Sequence, residues 1–417
     1  MKAFFLFVLL GSFAGAASAL TLSLPEVAQR VRSHHPSLKA ARLAIAEAQG
    51  RQLGAGRLSN PTVNYDFQNQ SRVSPQTGIV SFDQSFPLTR RLSLEKTLTS
   101  QLVKAAELEV RDVERKLIAE AQQQVVRLLT LTRQKDLRQQ QTELAQKLAD
   151  FAEGRARAGE VSPLDAKQVR LDSQRLRVEF RLLEAQGVSL LGQLKPMLGL
   201  RAEDPLTISG DLPPMVLPTV TTWTLRPDYQ LAQTKIMAAE TDKNLARANR
   251  LQDVKMGLFA SNEMQDVPGT GRVRTGYFGF RFSLPLPFWN RNQGAIAEKT
   301  ATADRARLER DALAIQINSE SGTARKEMET NAAIVRETRE NLLPLAAEQM
   351  DAMQKAYESG QADLQSVLRS RDQRLQLESS TLDALRDFHL ARIRYEAAVG
   401  KHAPAAPVTP EAGKPLP

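Results

Sequence analysis

Residues 275–284 read Thr-Gly-Tyr-Phe-Gly-Phe-Arg-Phe-Ser-Leu, so apolar residues alternate with polar or small ones along this stretch. Successive side chains of a β-strand point to opposite faces, and the pattern therefore predicts a strand with one apolar face. About ten residues is also the length that a tilted strand needs to cross a bilayer. The apolar side consists of Phe278, Phe280, Phe282 and Leu284.

Three other stretches alternate in a similar way, at about 62–70, 78–86 and 254–262, although Phe259 falls on the polar side of the third. The four predicted strands form two pairs, each between helical segments. We interpret their apolar side chains as lipid-facing, although a sheet that packs on a protein core has the same pattern. The predicted lipid-facing residues are Val63, Tyr65, Phe67, Phe82, Phe278, Phe280, Phe282 and Leu284.

Four strands are too few to close a membrane barrel, because the smallest such barrels have about eight. An open sheet edge in lipid would leave backbone N–H and C=O groups without partners. Strands inserted in a membrane would therefore have to come from several copies of the chain. Two copies would give eight strands with a filled interior, whereas three would give twelve strands and room for a lumen.

The chain contains two copies of one unit, since His35-Pro36-Ser37-Leu38 matches Arg226-Pro227-Asp228-Tyr229 and Gly159 matches Gly360. Each copy reads helix, strand, strand, long helix, turn and returning helix, with helical apolar residues spaced by three and four. Pro344 is expected to kink the second long helix. The predicted domains are repeat 1 at 20–200 with a helical hairpin at 92–198, a Pro-rich connector at 201–224, and repeat 2 at 225–400 with a hairpin at 293–400.

The two ends of the chain differ from the repeats. Lys2, an apolar run over 4–10 and Ala17-Ser18-Ala19 are typical of a signal peptide, which we predict at 1–19. The Ala- and Pro-rich residues 401–417 are predicted to be a disordered tail. We therefore expect an exported protein.

The composition argues against catalysis and against nucleic-acid binding. The 56 basic residues are interleaved with 47 acidic ones, as in residues 107–112, which is typical of a solvated helix face. The chain has no cysteine, and its four histidines show no metal-ligand spacing. We therefore expect that the protein is not an enzyme and that it has no cofactor, no metal site and no nucleic-acid partner.

Several short motifs occur in an order that is similar to a known family. They are Leu24-Pro25-Glu26-Val27-Ala28, His35-Pro36-Ser37-Leu38-Lys39-Ala40-Ala41, Arg57-Leu58-Ser59-Asn60-Pro61, Asn341-Leu342-Leu343-Pro344-Leu345-Ala346 and Tyr357-Glu358-Ser359-Gly360. Together with the doubled unit, they resemble the TolC-like outer-membrane efflux family, and more specifically its metal-cation branch.

The resemblance implies a mainly α protein with a small β part. Three copies would form a twelve-stranded barrel in the outer membrane of a Gram-negative-type cell, continuous with a helical tunnel through the periplasm. The implied partners are two further copies of the chain, outer-membrane lipid, a periplasmic adaptor and an inner-membrane pump. The alternative is a periplasmic coiled-coil adaptor or structural protein that has no membrane barrel.

The resemblance also implies that the two helix-to-helix turns dock the adaptor. These turns are Ala158-Gly159-Glu160-Val161 and Ser359-Gly360-Gln361-Ala362. Some relatives close this tip with two acidic residues whose positions correspond to Ser366 and Arg369, so that acidic ring is absent here. Asp165 and Asp363 lie nearby, and a gate formed by an Arg and an Asp is one interpretation; an exposed charged surface is the other.

Overall fold

A computed structural model describes residues 20–69, 75–267 and 269–401 of the chain. The predicted signal peptide at 1–19 and residues 402–417 of the predicted tail lie outside the described residues. The described residues are mainly helical, with a small amount of β-structure. The strands are β1 (Leu20–Leu22), β2 (Thr62–Asn69), β3 (Pro75–Phe86), β4 (Leu206–Ile208), β5 (Val254–Val267) and β6 (Gly271–Ser283).

Eight α-helices and one π-helical turn account for most of the described chain. A long helix follows each strand pair of the larger sheet. In these two helices the apolar residues recur every three or four positions, as in an amphipathic helix. The helices are α1 (Leu24–His34), α2 (Pro36–Gly54), α3 (Arg91–Arg157), α4 (Pro163–Met197), α5 (Pro227–Ala248), α6 (Gln293–Glu337), the π-helical turn (Thr338–Leu342), α7 (Leu343–Glu358) and α8 (Leu364–Ala398).

The strands form two sheets. The larger one has the order β2-β3-β5-β6, and each neighbouring pair is antiparallel. The smaller one pairs β1 with β4 in parallel, with Leu20 opposite Leu206. This small sheet was not predicted, because strands of three residues are too short to show a period in the sequence.

Three strands of the larger sheet, β3, β5 and β6, are longer than predicted, whereas β2 (Thr62–Asn69) agrees with the predicted 62–70 to within one residue. The strand predicted at 78–86 begins at Pro75, and the one predicted at 254–262 continues to Val267. The strand predicted at 275–284 begins at Gly271 and ends at Ser283, so Leu284 lies one residue beyond it. Gly269 and Gly271 both have positive φ angles, of 89° and 79°, which allows a tight turn and keeps the strands paired up to it.

Pro344 lies at a change of helix type. The residues before it form the π-helical turn, in which the Leu343 backbone N–H donates to the Thr338 carbonyl. Proline has no N–H and its ring crowds the carbonyl of the preceding turn, so the regular α-helical bonding pattern cannot pass through it. At the predicted kink the chain therefore takes a wider turn and then resumes as α7.

The described residues form two compact units. The first unit comprises residues 20–39, 114–222 and 319–401. The second comprises residues 40–113 and 223–318, apart from 70–74 and 268, and it contains the four-stranded sheet. Each unit has its own apolar clusters.

In the first unit, α1, α3 and the end of α4 share a core. Val27 and Val31 lie one helical turn apart on α1 and are fully buried, as are Ile118 and Val125 of α3. Leu194 at the end of α4 belongs to the same cluster and is also fully buried. A second cluster joins α6 and α8 through Met328, Phe388, Ala391 and Tyr395.

Gly199 ends α4 at a place where no side chain fits. Its φ angle is +69°, in the left-handed region that favours glycine at helix ends. A Cβ atom at this position would lie 2.6 Å from the His34 carbonyl oxygen at the end of α1. Gly159 has a similar φ angle of +77°, but no atom lies within 4 Å of its Cβ position. A substitution at Gly199 therefore meets both a steric clash and an unfavourable φ angle, whereas a substitution at Gly159 meets only the unfavourable φ angle.

We predict that Gly199→Ala lowers the free energy of unfolding by about 3 kcal/mol, because it adds a steric clash to an unfavourable φ angle. Gly159→Ala should cost only about 1 kcal/mol, from the backbone conformation alone. Thermal or denaturant unfolding of the purified variants measures both values. Equal losses for the two variants would contradict the contact with His34.

Candidate functional site

The four-stranded sheet has one apolar face that runs across all of its strands. The register places Val63 opposite Phe82, Phe82 opposite Leu258, and Leu258 opposite Phe280. Residues paired in this way point to the same face. The next row consists of Tyr65, Val80, Ala260 and Phe278. The apolar positions that the sequence shows strand by strand therefore form one continuous surface.

No other part of the described chain covers this face. Phe278 is 79% exposed and Val63 is 71% exposed, and the other large side chains of the two rows are also exposed. A contiguous apolar surface of this kind marks a contact with a membrane or with another protein. All the predicted lipid-facing residues within the strands lie on it, namely Val63, Tyr65, Phe67, Phe82, Phe278, Phe280 and Phe282. Leu284 is exposed just beyond β6.

The opposite face of the sheet is polar and organised around glycines. The Asn64 amide donates to the Asp83 carboxylate at 2.8 Å, and the Ser81 hydroxyl donates to it at 3.3 Å. Gly257 leaves the space for this carboxylate, because a Cβ atom there would lie 3.0 Å from Asp83 Cγ. This face therefore carries a hydrogen-bonded polar cluster where the other face carries aromatic rings.

Phe259 is the exception that the sequence shows on the polar face. It lies opposite Gly279, and its ring occupies the space in which a Cβ atom of Gly279 would lie. The Arg281 guanidinium carbon is 5.6 Å from the centre of the same ring. Phe259 therefore covers a glycine and supports an arginine within the polar face, and its position does not break the two-faced pattern.

The two helix-to-helix turns have the same backbone geometry. In the first, Glu160 N–H donates to Arg155 C=O at 3.0 Å and Gly159 has a φ angle of +77°. In the second, Gln361 N–H donates to Ala356 C=O at 2.7 Å and Gly360 also has a φ angle of +77°. This is the hydrogen-bonding pattern of a helix that ends at a left-handed glycine. The repeat seen in the sequence therefore extends to backbone hydrogen bonds.

The two turns lie close together in the first unit. Ala149 and Ala152 before the first turn, and Ala166 and Val169 after it, form one apolar cluster with Leu364, which follows the second turn. The predicted turn residues Ala158–Val161 and Ser359–Ala362 thus sit above a shared support. No atom lies within 4 Å of a Cβ position on either glycine, so both turns are open on their outer side.

The candidate gate residues have different local roles. The Asp363 carboxylate caps α8 by accepting a hydrogen bond from the Ser366 backbone N–H at 2.9 Å. Hydrogen bonds from Ser366 hold the pKa of Asp363 below its usual value, and the charge of Arg369 adds to the effect. Asp165 lies in the first turn of α4. The structure therefore brings Asp363, Ser366 and Arg369 together, with Asp363 engaged as a helix cap.

Comparisons with known proteins confirm the resemblance predicted from the sequence. Residues 223–401 match the family model described as outer membrane efflux protein. The cobalt-zinc-cadmium resistance protein CzcC of Cupriavidus metallidurans is 24% identical over 277 residues, which cover 63% of this chain and 59% of CzcC. The match thus spans less than two thirds of that curated relative.

Solved structures show the same fold. A membrane protein from Pseudomonas aeruginosa superposes with a TM-score of 0.76 at 19% identity, covering 90% of this chain and 93% of that one. The Campylobacter jejuni CmeC outer membrane channel superposes with a TM-score of 0.75 at 15% identity, covering 91% of this chain and 86% of CmeC. The chain therefore has the fold of outer-membrane efflux channels.

Among the described residues, no group of three or more His, Asp or Glu side chains could hold a metal ion. Within the same residues, no helix is both long enough and apolar enough to span a membrane.

Among the described histidines, His389 is the one whose pKa the fold lowers most. It lies in α8, is 2% exposed, and packs edge-on against the Phe388 ring at 5.2 Å. Its Nε2 atom has no hydrogen-bond partner among the described residues. Burial lowers the pKa of His389 to about 4, and the nearby charge of Arg392 acts in the same direction. The folded protein therefore holds this ring neutral under conditions in which the unfolded chain protonates it.

We predict that His389 makes the protein less stable in acid. The pKa of His389 is lower in the folded state than in the unfolded state, so its protonation favours unfolding. This group leaves the free energy of unfolding unchanged above about pH 6.5 and lowers it by about 3 kcal/mol in total as the pH drops toward about 4. His389→Gln should reduce the loss of unfolding free energy between these pH values. The exposed His34→Gln is the control, and equal pH dependence in wild type and His389→Gln would contradict the prediction.

Proposed function

We propose that this chain is one protomer of a trimeric outer-membrane channel. The channel would be the exit duct of a tripartite efflux system, passing substrates from an inner-membrane pump and a periplasmic adaptor to the outside. The observation that carries the proposal is the four-stranded sheet with one uncovered apolar face. The likeness to CmeC, which is an outer membrane channel, supports the same function.

The edges of the sheet support a closed assembly. β2 and β6 are the outer strands, and neither has a second partner strand among the described residues. Because strand direction alternates across the sheet, β6 of one copy would lie antiparallel to β2 of the next. Closure removes the unpaired backbone groups that lipid does not tolerate. Three copies of four strands would give the twelve-stranded barrel that the resemblance implies.

The two turns are the proposed docking surface for the adaptor. They are open on their outer side, share one apolar support and have matching backbone geometry. A partner that binds several equivalent hairpins would meet nearly the same shape at each turn. Asp165, Asp363, Ser366 and Arg369 stay as the proposed gate beside this surface, with an ion pair between Arg369 and an aspartate of another protomer as its closing contact.

Divalent metal cations are the proposed cargo. The support is the similarity to CzcC, whose name describes resistance to cobalt, zinc and cadmium. Deleting the gene for this chain should lower the concentration of these cations that cells tolerate, and complementation should restore it. Unchanged tolerance to the three cations, with a measurable change in tolerance to other toxic compounds, would assign a different cargo to the same channel.

We predict that Phe280→Lys lowers the amount of assembled trimer in the outer-membrane fraction by at least about tenfold. A lysine on the lipid face near the middle of a bilayer costs about 2–4 kcal/mol. Tyr277→Lys is the matched control, since Tyr277 is an exposed aromatic residue on the opposite face of the same strand. Heat-modifiable trimer bands measure both variants, and equal yields would contradict the assigned lipid face.

We predict that Ala158→Trp and Ser359→Trp leave the trimer yield unchanged but abolish resistance to the pump substrates. A bulky ring on either turn would block an adaptor without disturbing the apolar cluster beneath it. Val220→Trp, at an exposed residue outside both turns, is the control. Full resistance in both turn variants would remove the docking assignment and leave the channel assignment in place.

A further inference from the structure

The connection between β6 and α6 carries exposed aromatic residues at the end of the apolar face. Trp289 is 90% exposed, and Phe288 and Leu286 are also exposed. The Phe288 and Trp289 rings meet edge to face, with their centres 6.1 Å apart. Tryptophan is enriched where the apolar band of a membrane protein meets the headgroup region, because its ring is apolar and its N–H is polar. In the proposed channel this connection lies at the periplasmic boundary of the membrane.

A cavity of about 270 Å³ lies beside these aromatic residues. The end of α5 and the loop that follows it form one wall, with Asn249, Arg250 and Gln252. The connection after β6 forms the other wall, with Leu286, Trp289 and Asn290. The cavity therefore combines amide and guanidinium groups with an apolar rim.

One hydrogen bond joins the two walls of the cavity, and a second one fixes the connection after β6 internally. The Asn292 side-chain amide donates to the Ala246 carbonyl of α5 at 2.7 Å, and the Asn292 backbone N–H donates to Asn290 Oδ1 at 2.9 Å. Asn292 itself has a φ angle of 58°, which asparagine tolerates better than most residues. The connection is thus held against α5, and the cavity is formed before any ligand arrives.

The cavity is electropositive. Arg250 is the charged side chain among the described lining residues, and it forms no ion pair within the part of the chain that the structure describes. The acidic residue that follows closely in the sequence, Asp253, is held by Arg91 at 2.7 Å. The guanidinium of Arg250 therefore keeps its full attraction for an anion.

We propose that this cavity binds the headgroup of a phospholipid in the periplasmic leaflet, and this proposal rests on the proposed function. Arg250 and the neighbouring amides would bind the phosphate oxygens, while the acyl chains extend over Leu286 and Trp289 toward the apolar face of the sheet. The combination of one free guanidinium, several amides and an exposed tryptophan at a membrane boundary fits a lipid phosphate better than a free anion, which has no use for the apolar rim.

The chain has two tryptophans, so Trp223→Phe leaves Trp289 as a single reporter beside the cavity. The full-length trimer of this variant is purified in detergent micelles that contain increasing amounts of dibrominated phosphatidylglycerol, whose bromines quench nearby tryptophan. Dibrominated diacylglycerol has the same chains and no phosphate. We expect half-maximal quenching at a several-fold lower mole fraction of the phospholipid than of diacylglycerol.

Arg250→Gln should raise the mole fraction of phosphatidylglycerol needed for half-maximal quenching by about fivefold, the effect of removing one cation close to an anionic lipid. Arg181→Gln is the matched control, because Arg181 is an exposed arginine of α4, far along the sequence from both walls. Equal quenching by the two lipids, or no effect of Arg250→Gln, would overturn the proposal. If inorganic phosphate at millimolar concentration displaces the quenching lipid, the assignment of a lipid headgroup is wrong and the cavity is a site for free phosphate.

Failure of this proposal is distinguishable from failure of the proposed function. Heat-modifiable trimers are measured in the same preparations before lipid is added. Trimers that bind both lipids equally would contradict only the headgroup site. Absence of trimers from the outer-membrane fraction would contradict the channel itself.

Discussion

The backbone groups at the outer edges of the four-stranded sheet have no partner strand among the described residues of the chain. β2 and β6 each have one neighbouring strand, and the apolar face between them is exposed. In water such a face and such edges would cause aggregation, and in lipid the open edges would leave hydrogen bonds unmade. The proposed assembly, in which the sheet closes through further copies of the chain, would solve both problems. In the proposed channel, oligomerisation, membrane insertion and the conduit would follow from this requirement.

The internal repeat would give the proposed assembly its regularity. Each repeat ends its long helix at a glycine with the same φ angle and the same pattern of carbonyl acceptors, so the two turns present similar surfaces. The residues that surround the turns are not repeated in the same way. Asp363 caps α8 through its carboxylate, whereas Ser162 caps α4 through its hydroxyl. The two copies thus share the backbone geometry of the turn but use different side chains to cap the returning helix.

The predictable parts of this protein are those that depend on neighbours in the sequence. The alternation in 275–284 and the three-and-four spacing of the long helices identified the strands and helices, because each period reflects burial of one face. The lengths of the hairpin strands were less predictable. Just after Gly271, the positions in line with the apolar face of β6 hold Arg272 and Arg274, and there the turn extends the pairing without an apolar face.

The sequence by itself determined the two-faced strands, the doubled unit, the turn glycines and the resemblance to outer-membrane efflux proteins. All of these are local patterns, or repetitions of local patterns, and local patterns can be read without knowing what packs against them. Only the tertiary structure showed that Phe259 covers Gly279, that Gly257 makes room for Asp83, and that β1 pairs with β4. It also placed Arg250 and Trp289 around one cavity and buried His389. Each of these depends on residues distant in the sequence that meet through strand register or helix packing, and no periodicity along the chain records such a meeting.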